Sequence, residues 1–202
     1  AAEGRIEAVL NKGGNRVIAG NVRNEGTIVV EPSITLVVRG TDPIFSQANG
    51  GIEAEGAFLL EAGQFDWTGG RLNGVVRVLN TGVLVAEGVT VPSTLRLVGT
   101  GNRLVQNRSS TTTLWVEGHT TWGAAKLTAE SGAENRGAIR LETSSDDWRD
   151  QSARLDCGAS GLVNAASGII QTSAGAGDVR GMSGYLINRG RVEIGPETVF
   201  TG

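Results

Sequence analysis

Hydrophobic and polar residues alternate over positions 133–142, A-E-N-R-G-A-I-R-L-E. Ala133, Asn135, Gly137, Ile139 and Leu141 hold one parity; Glu134, Arg136, Ala138, Arg140 and Glu142 hold the other. Period two predicts a β-strand with one buried face. Asn135 shares its parity with Ile139 and Leu141, so its amide is expected to point inward with them.

The same pattern recurs along the chain. It appears as V-R-N-E-G-T-I-V-V at 22–30, V-L-N-T-G-V-L-V-A around Asn80, V-Q-N-R-S-S-T-T-T around Asn107, L-V-N-A-A-S-G-I-I around Asn164 and L-I-N-R-G-R-V-E-I around Asn188. At 48–54, A-N-G-G-I-E-A, the phase set by Ile52 and Ala54 puts Ala48 rather than Asn49 at the amide position. The Asn107 copy has serine where the others have glycine, and in the Asn164 copy the glycine is displaced. Successive amide positions are 24 to 32 residues apart, and self-similarity at such periods marks a stacked repeat.

Further strand-like runs fall within each period, among them I-T-L-V-V from Ile34, T-L-R-L-V from Thr94 and A-R-L-D-C from Ala153. Two or three short strands per period, joined by glycine-rich corners, describe one coil of a parallel β-helix. Propeller blades, leucine-rich repeats and calcium-binding nonapeptide rolls need periods or motifs that are missing. A β-sandwich is the competing architecture. The recurring inward amide favours the solenoid, because stacked asparagines can form a ladder in which each amide donates to the next. The predicted fold is all-β: a single-stranded right-handed parallel β-helix of about seven coils of ~27 residues, one domain over 1–202, read as a segment of a longer chain. The rungs of its structural ladder are Asn24, Asn80, Asn107, Asn135, Asn164 and Asn188.

The N-x-G-x-I/L/V copies, together with F-D-W-T-G-G-R-L-N-G at 65–74, resemble the repeats of very large secreted or surface-anchored bacterial proteins. More distantly, they resemble the right-handed β-helical shafts of filamentous-haemagglutinin-type adhesins and autotransporter passengers. This resemblance implies an extracellular or cell-surface structural module.

Composition changes this picture little. There are 31 glycines, which suits many tight corners, and a net charge of −3. Arginines are scattered among acids, so the basic stripe of a nucleic-acid surface is missing. No run has the eighteen or so apolar residues of a membrane span. Cys157, the only cysteine, shares the parity of Leu155 and is expected to be a buried hydrophobe rather than a reactive thiol.

Candidate chemistry is sparse. Asp146, Asp147 and Asp150 in S-S-D-D-W-R-D could hold a calcium or supply an acid/base pair, although polar loops carry such clusters routinely. His119, the only histidine, reads as a turn residue. Trp115 lies between Leu114 and Val116 and should point outward, and Trp148 sits in the charged loop. Either could stack on a sugar ring. Trp67 and Trp122 are expected to pack at coil corners. No cofactor is implied.

The reading is therefore a non-catalytic shaft or adhesin-like module. A carbohydrate-active β-helix, binding or cleaving polysaccharide, is the alternative, and a subunit stacking end to end into a fibre is the second. Expected partners are flanking parts of the parent chain or further copies at the solenoid ends, with polysaccharide as a further candidate.

Overall fold

A computed structural model describes residues 4–10, 14–143, 151–173 and 179–201. It is a parallel β-solenoid of about eight turns with a spacing of about 22 residues, with no helix among the described residues. No helix long and apolar enough to cross a membrane occurs among the described residues. Two sheets, of 11 and 12 strands, run the length of the coil. Every turn pairs in parallel register with the next, as in Thr113–Ala138–Ile169–Arg191 along one sheet.

The cross-section changes along the rod. An early turn uses Thr27–Val30 and Thr35–Arg39 in the first sheet and Ile44–Gln47 in the second. A late turn uses Ala138–Thr143 in the first, then Ala153–Asp156 and Leu162–Asn164 in the second. Between them, Ser93–Val98 and Asn102–Asn107 form a flatter turn with one strand per sheet. The extra bend thus passes from one sheet to the other.

Alternation of side chains fills the interior. Ile139 and Leu141 are fully buried, as are Ile28, Ile52, Leu114 and Ile170 in their own turns. Burying each such side chain is worth ~1.5–3 kcal/mol. In the early turns the core is partly aromatic. Phe45 stacks on Phe65 at 5.4 Å with 9° between the rings, and Phe58 meets Phe45 edge-on at 5.0 Å.

One position can be followed through the rod: Asn24, Gln47, Trp67, Val85, Asn107, Asn135, Asn164 and Asn188 stand in register, buried as far as Asn164 and exposed at Asn188. Asn24 donates to Gln47 Oε1 at 2.8 Å, then Trp67 and Val85 interrupt the amides. The ladder resumes with Asn107 donating to Asn135, Asn135 to Asn164 and Asn164 to Asn188, at 2.8, 2.9 and 2.8 Å.

Four expectations are corrected here. Seven coils of ~27 residues become about eight turns of about 22, because the turns carrying Trp67 and Val85 have no asparagine to mark them. The second rung is Gln47, not Ala48. Asn80 is not a rung: it is exposed, takes a left-handed corner with φ 55°, and its side-chain oxygen accepts from Gly101 N–H at 2.8 Å. Strand parity does not carry through such a corner. Trp67, expected at a corner, is instead fully buried at the rung position.

The glycine of the N-x-G motif has a packing cause. A Cβ on Gly26 would lie 1.8 Å from Gly4 O, and one on Gly137 2.6 Å from both Ser109 O and Thr112 O. The displaced Gly168 occupies the same column: its carbonyl accepts Arg191 N–H, and the N–H of the next residue, Ile169, donates to Gly137 O.

A candidate binding groove on the outer face

Outward residues of the first sheet stack as regularly as inward ones. Arg77, Arg96, Trp115, Arg140 and Gln171 are in register on successive strands. With Leu114 and Val116 fully buried, Trp115 points outward as its parity predicts. Its ring lies between two guanidiniums, with Arg96 Cζ 4.4 Å and Arg140 Cζ 4.9 Å from the centroid. Arg96 and Arg140 belong to the strands on either side of it, so the faces a sugar would stack on are already occupied by cation–π contacts.

A groove of about 490 Å³ opens beside this column. It arises where the early bend ends. Residues 51–54 and 71–74 pair with each other, but toward the preceding turn the strand Ser93–Val98 pairs only with Arg77, Val78 and Leu79. Gly74 makes the bend at φ 80°, where a Cβ would sit 2.0 Å from Ala54 O. Leu72 N–H, left at the open edge, is accepted by Ser93 Oγ at 3.2 Å. The walls include Ser93, Thr94, Thr111, Thr113, Arg96 and Arg140, and among the described residues none of the lining is acidic.

Beside the groove, Glu117 is a fully buried carboxylate. Its Oε2 receives Arg77 Nε at 3.3 Å and its Oε1 receives Arg96 Nη1 at 3.2 Å. Arg77 also lies 5.1 Å over Trp122, whose ring packs against His119 at 4.6 Å. His119 and Gly123 close a small antiparallel bridge, and Thr121 N–H donates to His119 Nδ1 at 3.0 Å. His119 is a turn residue, as expected, but half-buried. Burial first and the Arg77 charge second hold its pKa below the ordinary 6.5. Trp122 packs in this turn.

Elsewhere the structure brings little chemistry together. Asp146, Asp147, Asp150 and Trp148 lie outside the described residues. Among the described residues no group of three or more His, Cys, Asp or Glu could hold a metal. Cys157 is buried, and burial, with the Asp156 charge second, pushes its pKa up to about 11. Sequence reasoning missed two features. Asn102 is fully buried, donates to Val98 O and Gly99 O at 2.9 Å each, and accepts Thr81 N–H at 3.2 Å. Its only signal was an amide within a glycine-rich corner. The groove had no signal at all, since its walls come from four turns.

No family model, no curated protein and no solved structure matches this chain.

Proposed function

We propose that this chain is a non-catalytic structural module, an adhesin-like shaft segment of an extracellular or cell-surface bacterial protein. The observation that carries this reading is the continuous line of inward side chains from Asn24 to Asn164, hydrogen-bonded or packed at every turn. A rod so filled transmits load along its axis through parallel ladders, and its outward arginine–glutamate pairs, such as Arg136–Glu134 and Arg103–Glu130, keep the surface hydrated. The N-x-G repeats and the F-D-W-T-G-G-R-L-N-G element support the extracellular assignment by resemblance.

The edges of the described solenoid carry exposed apolar residues, Ile6 and Val17 at one end and Val199 and Phe200 at the other. Unpaired strand edges of this kind recruit further strands. In this reading they meet flanking solenoid of the parent chain or further copies.

The test is to incubate the purified protein with neutral and acidic polysaccharides and follow chain length. Unchanged polymers are expected. Shorter products would overturn the non-catalytic reading and direct attention to Asp146, Asp147, Asp150 and His119. Retention without products leaves it standing.

A further inference from the structure

We propose that the groove beside Trp115 is a binding site for a linear acidic glycan, held by paired arginines rather than by ring stacking. Four observations point the same way. The groove's volume of about 490 Å³ falls within the ~300–1,000 Å³ of ligand clefts. Its walls offer the hydroxyls of Ser93, Thr94 and Thr113, two guanidiniums and, among the described residues, no carboxylate. Trp115 separates Arg96 from Arg140, which stand on strands two places apart, roughly 9–10 Å along the axis at the usual strand spacing. That interval is close to the length of a disaccharide, so the two cations match acidic groups one disaccharide apart on a glycan lying along the rod.

The fourth observation concerns the guanidinium edges. Arg96 gives Nη1 to Glu117 and Arg140 gives Nη2 to Glu142, which leaves the other edges of both guanidiniums for a ligand. A carboxylate or sulfate supplies acceptors of the geometry that a guanidinium fork favours. Trp115 acts as a spacer: the cation–π contacts on it hold the two forks apart. This site goes beyond the shaft reading, which stands or falls on product formation and not on glycan affinity.

The test is calorimetric titration at low salt of the intact protein with three probes of matched length: oligogalacturonate for carboxylates, a heparin fragment for sulfates, and a neutral dextran oligosaccharide. Binding of at least one acidic probe and none of dextran is expected. Arg140→Gln should weaken it roughly ten-fold, the loss of about one charge-assisted hydrogen bond. Thr94→Glu, which places a negative charge on the groove wall without touching the core, should abolish it. Arg103→Gln, on the other sheet and paired with Glu130, should leave it unchanged. Melting curves of each variant confirm folding, and Thr94→Glu serves if Arg140→Gln unfolds. No binding of either acidic probe, equal binding of dextran, or equal weakening by Arg103→Gln would overturn the proposal.

Discussion

Asn107 Nδ2 donates to Asn135 Oδ1 at 2.8 Å across one turn of the rod, with both side chains fully buried. Asn135 in turn donates to Asn164 Oδ1 and to Gly137 O, at 2.9 and 3.0 Å. One amide therefore satisfies its neighbour above, its neighbour below and the carbonyl of its own corner. All the ladder bonds run in the same direction along the chain, so removing a rung orphans a donor on one side and an acceptor on the other.

Asn135→Ala is expected to destabilise by on the order of 3 kcal/mol, because each buried polar group left without a partner costs ~1–3 kcal/mol. Arg136→Ala removes a partly exposed pair with Glu134 and should cost at most ~1 kcal/mol. Urea denaturation of the two variants compares them directly. Equal midpoints would mean that the ladder contributes nothing beyond an exposed ion pair.

Gly137→Ala tests the cause of the N-x-G motif. The new methyl would meet two backbone oxygens of the preceding turn at 2.6 Å, so the turns must separate locally, at a cost of ~1–3 kcal/mol for overpacking. A Cβ on Gly4 meets nothing within 4 Å. Gly4→Ala should therefore change stability by less than ~0.5 kcal/mol. Thermal melts that shift equally for both would show that conformational freedom, not close approach, selects glycine at Gly137.

Stability should depend on pH through His119. Its folded pKa is lowered, by burial and then by the Arg77 charge, from an ordinary value of 6.5. Between the two values the unfolded chain binds more protons than the folded one, so stability rises with pH there. The protein is expected to lose stability as pH falls through about 6.5 and on down to the folded value. His119→Gln should flatten that part of the curve. A wild-type midpoint that stays level between pH 7.5 and roughly 5, or an unchanged slope in the variant, contradicts the assignment.

Cys157, fully inside and with its pKa pushed up to about 11, should resist alkylation at pH 8 in the native protein and react within minutes in denaturant. The thiolate is the nucleophile, and burial suppresses both its population and its access. Rapid native labelling would indicate that the turn containing Cys157 opens.

Alternation of inward and outward residues, the parallel stacking of turns and most of the ladder were legible in the sequence. Strand parity is local, and Asn107, Asn135, Asn164 and Asn188 carry it in straight segments next to buried aliphatic residues. The count of turns was not legible. Gln47, Trp67 and Val85 stand at rung positions without being asparagine, and Asn80 is an asparagine at a left-handed corner. What fixes a rung is register with the turn below, a non-local property that residue type reports only when the interior there is polar. The groove lay further still from the sequence. Arg96, Trp115 and Arg140 are brought together by stacking alone, and the cavity beside them exists because a bend made at Gly74 finds no counterpart in the next turn. Local chemistry determined which face of each strand is buried; only the tertiary register decided which side chains share a column, because stacking distance is set between turns and not along the chain.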